Sequence, residues 1–144
     1  MSGRLSFPVN LTVDPGGFFL VRFPDLRGTA TDGRSKQEAL FEAIDCLDTA
    51  LAYRIKSHLP IPKPSAARGR LIVSPSALMG AKTALYLAWQ ETGLSCLALS
   101  RKMGLELKTL QRMLDPRQRT HIGSIEKVLR ELGTNLTVDI AAVG

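Results

Sequence analysis

Cysteine, histidine and tryptophan are scarce in this 144-residue chain, at two, two and one residues. Cys46 and Cys96 stand fifty positions apart, and neither forms a Cys-x-x-Cys pair or clusters with His58 or His121. A disulfide scaffold and a zinc site are both unexpected on that spacing. No apolar run approaches the roughly 20 residues a spanning helix needs. Met1-Ser2-Gly3-Arg4 leads straight into alternating residues with no apolar signal core, so a cytoplasmic protein without a membrane partner is expected. Acidic residues are also in the minority, 13 against 19 Lys plus Arg, for a formal charge of +6. That balance favours a polyanionic partner and makes nucleic acid the first suspect.

What is present fits one compact domain or two small ones, with 44% hydrophobic and 22% charged residues. All five Phe residues, at 7, 18, 19, 23 and 41, lie in the first third. After them Leu59-Pro60-Ile61-Pro62-Lys63-Pro64-Ser65 places a proline at every second position, which reads as a stiff, extended connector. The expected division is residues 1–58 plus 70–74 as a first domain, 59–69 as connector, and 75–144 as a second domain.

From Leu5 to Val13 the odd positions are apolar and the even ones are Ser6, Pro8, Asn10 and Thr12, the period of a strand with one buried face. Asp14-Pro15-Gly16-Gly17 supplies turn residues, Phe18 to Phe23 a second strand, and Thr29 to Asp32 a short third one. Ser35-Lys36-Gln37-Glu38 has capping-box spacing and predicts a helix start. Leu40, Ala43, Ile44, Leu47 and Leu51 then form one apolar face, with Glu38, Glu42, Asp45 and Asp48 opposite. With Leu71-Ile72-Val73 as a fourth strand, the first half is a β-β-β-α-β layer whose helix covers one sheet face.

The second half reads as helices. Ser74-Pro75 predicts a helix start with Leu78, Ala81, Leu85, Ala88 and Trp89 inward, ended by Gly93; Ser95 caps the next. Ser124 is expected to open a last helix with Ile125, Val128, Leu129 and Leu132 inward, stopped by Gly133. Between Cys96 and Asp115 the sequence CLALSRKMGLELKTLQRMLD has the marks of a helix-turn-helix. Gly104 suits the turn, Ser100 is small where the helices cross, and Leu99, Met103, Leu105, Leu110 and Met113 hold the packing offsets. On that reading Lys108, Thr109, Gln111 and Arg112 lie on or near the exposed face of the second helix, where Gln pairs with adenine and Arg with guanine. Residues 101 to 119 carry six cations, including Arg117 and Arg119, against two acids, a local charge of +4 suited to phosphates. The alternative is an ordinary helical hairpin with a solvated basic face.

Groove readers of this kind work mostly as symmetric pairs. Leu136, Val138 and Ile140 alternate with Thr137 and Asp139, which reads as a closing strand. With no evident partner among helices, it is expected to pair with a second subunit's copy, giving a homodimer or higher even oligomer; pairing with the first domain's sheet is the alternative.

Asp14, Gly16-Gly17-Phe18, Phe23-Pro24-Asp25, Gly28, Thr31-x-Gly33, the Glu38-Ala39-Leu40 helix and Ile61-Pro62-x-Pro64-Ser65 together resemble the HicB antitoxins of bacterial toxin–antitoxin pairs. The likeness continues through the Lys82 to Trp89 helix and Gln111-Arg112, and so covers nearly the whole chain. The resemblance implies an α+β protein: a partial RNase H-like first domain that neutralises a HicA-like mRNA-cleaving toxin, then an all-α helix-turn-helix domain that represses the shared operon. Toxin contacts would fall on the acidic stripe Glu38, Glu42 and Asp45, since a ribonuclease must present positive charge, or on Phe19 and Val21 of the sheet. A solvated helix face is the plain alternative for the stripe.

Two further classes stand beside this one. The first is a stand-alone transcription factor whose first domain senses a ligand or oligomerises. The second is an RNase H-like metal-dependent nuclease, which requires several converging carboxylates. Asp14, Asp25 and Asp32 read as turn or loop residues, and the helix acids point away from the sheet. No catalytic residue, metal or cofactor is therefore expected.

Overall fold

The computed structural model describes residues 3–143, a mixed α+β chain with four strands and five helices. In order these are β1 (Phe7–Val13), β2 (Phe19–Arg22), β3 (Ala30–Gly33), α1 (Lys36–Lys56), β4 (Leu71–Val73), α2 (Ala77–Thr92), α3 (Cys96–Met103), α4 (Leu107–Leu114) and α5 (Ile122–Glu131). They fall into two compact units. One holds Arg4–Leu51, Ile61–Ser76 and the last residues from Asp139; the other holds Ala52–Pro60 and Ala77–Val138.

In the sheet unit the strand order is β3-β2-β1-β4, all antiparallel. β1 divides its pairing: Asn10 to Val13 face β2, whereas Phe7 to Val9 face β4. This stagger accommodates Pro8, which lacks an N–H and is tolerated where a strand has a neighbour on one side only. The turn after β1 is closed by Asp14, whose N–H donates to Phe18 O and whose Oδ1 accepts Phe18 N–H. Phe7 and Val9 are buried as expected, but Pro8 between them is buried as well, so the alternation is not kept at this end of β1, and toward the hairpin tip Val13 is 60% exposed.

Ser35 accepts Glu38 N–H at 3.1 Å and opens α1. Ala39, Leu40, Ala43, Leu47 and Leu51 are buried and share the core with Phe7, Val9, Val21, Phe23, Leu26 and Val73. At Gly33 the end of β3 runs so close to α1 that an added Cβ would lie 2.7 Å from Ala39 Cα, which leaves room for glycine alone. The chain after the proline run is tied back: Asp25 Oδ2 accepts both the N–H and the hydroxyl of Ser65, and Arg70 donates to Ala66 O and Ala67 O.

The helical unit is built on α2, which packs against α4 and α5, while α3 packs on α4. With neighbours on more than one side, α2 is buried well beyond a single stripe: Ala81, Lys82, Thr83, Ala84, Leu85, Tyr86 and Ala88 are all inside. The predicted start at Ser74-Pro75 is two residues early. Ser74 instead shares a hydroxyl bond with Ser6, and Ser76 N–H is bound by Asp48, so Asp48 does not join the solvated acidic stripe. α5 likewise opens at Ile122 behind His121, ahead of the expected Ser124, and turns Ile125, Val128 and Leu129 inward. Tyr86 donates to Leu59 O, and His58 meets Trp89 edge to face at 6.0 Å, which gives both residues packing roles.

The expected closing strand does not form within this chain. Residues 135–143 have no regular structure, Leu136 is half-buried, and Val138 and Ile140 are 86% and 100% exposed. Alternation selects an extended backbone, but a strand exists only with a hydrogen-bonded neighbour, and the sheet has no fifth member. Among the described residues, none of this segment pairs with the sheet.

Candidate nucleic-acid interface

α3 and α4 are joined by Gly104, Leu105 and Glu106. Ser95 caps α3 by accepting Ala98 N–H, and Gly104 ends it in the left-handed region at φ 66°, where glycine carries no steric cost. Leu105 N–H then closes on Ser100 O at 2.9 Å. Ser100 is buried and turns its hydroxyl onto Leu97 O, so the small residue sits in a tight position without an unpaired polar atom. Leu99, Leu110, Met113 and Leu114 form the buried seam, with Met103 and Leu105 half-buried beside it.

That seam fixes which way α4 faces. Lys108, Gln111, Arg112 and Asp115 recur at helical spacing on the outward side and, with Gln118, line an open concavity of about 170 Å³. Four of these five side chains are hydrogen-bond donors and two carry positive charge. Thr109 is half-buried and lies outside the concavity. Arg117 and Arg119 are exposed in the turn beyond α4, and Arg117 is partnered by Asp115 through its backbone N–H at 2.9 Å and its guanidinium at 3.6 Å.

The residue that sequence reasoning passed over is Lys82. It is fully buried on α2, and its Nζ donates to Arg112 O at 3.1 Å, Met113 O at 2.9 Å, Asp115 O at 2.8 Å and Thr120 Oγ1 at 2.9 Å. Burial pulls its pKa below the ordinary lysine value, and the Asp115 carboxylate opposes that shift. A single cation inside the run Ala81 to Leu85 was the available signal.

In the sheet unit the candidates separate. Glu38, Glu42 and Asp45 are exposed on α1, and Phe19 is half-buried. Val21 is 0% exposed, so its expectation as a contact is corrected: paired with Leu11 and Thr31 in the middle of the sheet, it faces the core. Sequence reading missed Phe41, which is 52% exposed among the three acids. Its place outside the Leu40, Ala43, Leu47 stripe was the clue.

Of the three aspartates weighed for metal chemistry, Asp14 closes its own turn, Asp25 holds Ser65 from 40 positions away, and Asp32, expected in a turn or loop, is exposed on β3. Among the described residues no group of three or more His, Cys, Asp or Glu is placed to hold a metal ion, and no helix is long and apolar enough to cross a membrane.

Residues 6–84 match the model of a family described as HicB_like antitoxin of bacterial toxin-antitoxin system. Antitoxin HicB 1 of Photorhabdus laumondii is 31% identical over 138 residues, covering 95% of this chain and 88% of the relative. Antitoxin HicB 2 of the same organism is 32% identical, over 94% of this chain and 96% of its own length. Antitoxin HicB of Escherichia coli is 26% identical, over 93% and 98% respectively. The family match spans the sheet unit and the first half of α2, and the relatives extend the likeness across α3 and α4. The chain therefore belongs to the HicB-like antitoxin family.

Proposed function

We propose that this protein is an antitoxin with two separate tasks: the sheet unit binds and neutralises a HicA-like mRNA-cleaving toxin, and the helical unit represses the shared operon by laying α4 in the major groove. The observation that carries the second task is the outward face of α4. Lys108, Gln111 and Arg112 are exposed on a helix whose opposite side is anchored by Leu110, Met113 and Leu114. That is the arrangement of a helix-turn-helix reader, with Gln111 and Arg112 directed at base edges and Lys108, Thr109, Arg117 and Arg119 near phosphates. Family membership supports the first task. Glu38, Glu42 and Asp45 ring Phe41, an aromatic anchor within an acidic rim that suits a basic ribonuclease. Phe19 lies on the same unit. Neither task needs a catalytic residue, metal or cofactor.

Symmetric operators call for a dimer, and Leu136, Val138 and Ile140 provide an extended apolar segment whose backbone groups a second copy's segment would satisfy. Removing residues 134–144 is expected to lower the dimer fraction at micromolar concentration.

The separation is tested by changing Gln111 and Arg112 to Ala. Discrimination between DNA from upstream of the protein's own gene and an unrelated duplex should vanish, while inhibition of the toxin encoded beside it is retained. Equal loss of both activities would overturn the two-task reading.

A further inference from the structure

We infer that Lys82 is a positioning residue: it locks the carbonyl end of α4 and the turn at residues 115–120 into one pose, and so sets base discrimination without touching DNA. This rests on the groove-reading role of α4 proposed above.

An ammonium group has three N–H donors, and here four oxygens surround it within 3.1 Å. Three are the carbonyls of Arg112, Met113 and Asp115, at the end of α4 where helical partners run out and the dipole favours a cation. The fourth belongs to Thr120, immediately before the residue that caps α5. One buried charge on α2 thus joins three segments. An apolar side chain would fill the same space at lower desolvation cost. What the charge adds is direction, because hydrogen bonds to fixed carbonyls specify an orientation that the packing of Leu110, Met113 and Leu114 leaves freer.

α4 depends on such support. It has eight residues and no side-chain cap at its start, and a helix of that length is marginal in isolation. Its front is held by the Gly104 turn and its back by Lys82. Arg112 supplies a carbonyl to the clamp and its side chain to the concavity, so the two functions meet in one residue. Arg117 and Arg119 lie on the stretch whose ends, Asp115 O and Thr120 Oγ1, the same ammonium grips. Recognition groups need holding to within about 0.5 Å, which makes a loosened clamp costly for specificity.

The test compares the full-length wild type with Lys82→Met and Thr120→Val. The readouts are amide hydrogen exchange and affinity for the upstream and unrelated duplexes over a range of salt. In Lys82→Met, exchange across residues 112–120 should rise at least tenfold while the sheet unit is unchanged. The preference for the upstream duplex should fall at least tenfold. Affinity for the unrelated duplex and its salt slope should stay, because a buried ammonium neutralises no phosphate. If Lys82→Met fails to fold, Thr120→Val carries the test, since it removes one of the four acceptors together with the hydroxyl's own weak 3.5 Å bond to Arg112 O. Its exchange should quicken at 115–120 and its preference should drop. Unchanged exchange and preference in the variant that folds, or an equal loss for both duplexes, overturns the proposal. If the wild type binds neither duplex, the groove-reading role fails by itself, and the exchange comparison alone decides whether Lys82 holds the turn.

Discussion

Replacing Asp25 by alanine removes the acceptor that ties down the chain after the proline run. In the wild type one oxygen, Oδ2, receives the Ser65 N–H at 2.8 Å and the Ser65 hydroxyl at 3.1 Å. Hydrogen bonds to a charged group contribute about 1.5–3 kcal/mol each when shielded. Asp25 is half-buried, so solvent weakens both, and Asp25→Ala is expected to cost about 2 kcal/mol in all. Ser65→Ala deletes the longer of these bonds, along with a 3.4 Å contact that Arg70 Nη2 donates to the same hydroxyl, and should cost about 0.5–1 kcal/mol. In the Ser65→Ala background the aspartate change should lose that same share, a coupling of about 0.5–1 kcal/mol. Urea unfolding followed by far-UV circular dichroism measures all four proteins. Trp89, the sole tryptophan, lies in the helical unit and gives an independent fluorescence signal. A cost below about 0.5 kcal/mol for Asp25→Ala, or zero coupling with Ser65, would refute the tie.

Lys108→Ala should weaken binding to upstream and unrelated duplexes alike and reduce the salt slope by about 0.9, the signature of one lost phosphate contact; an unchanged slope would remove Lys108 from the phosphate-facing set. Phe41→Ala is expected to raise the antitoxin concentration needed for half-inhibition of the toxin at least tenfold, with the far-UV spectrum and DNA affinity unchanged; undiminished inhibition would move the toxin contact off α1. Burial pushes the thiols of Cys46 and Cys96 up, so less thiolate exists at neutral pH and alkylation there should run slower than for a free thiol. Mass spectrometry of iodoacetamide-treated protein reads this, and labelling at the free-thiol rate would contradict it.

Much of the architecture is visible in the residues because local rules and global packing agree there. The strand at Phe7 to Val13, the cap at Ser35, the cap at Ser95 and the turn at Gly104 all act within a few positions of themselves. What escaped depends on distant partners. The start of α2 moved because Ser74 and Ser76 are claimed by Ser6 and Asp48, from 68 and 28 positions away. Val21 looked eligible as a contact because period two identifies a strand's faces without saying which one the helix will cover. Lys82 reads as a misplaced charge until the carbonyls 30 to 33 residues later come into view. The closing segment has the pattern of a strand but, within one chain, no neighbour to make it one. At the candidate interface, spacing alone indicated Lys108, Gln111 and Arg112, whereas Gln118 joined them only through the turn that Asp115 organises.

The account turns on α4 meeting duplex DNA with its outward face. Titrating the isotope-labelled full chain with a duplex from upstream of its own gene, and following each backbone amide by NMR, examines this directly. The expected shifts centre on Lys108, Gln111, Arg112 and the turn at Arg117 to Arg119, with the sheet unit silent. Saturable binding whose shifts fall elsewhere, with these amides unmoved, would contradict it.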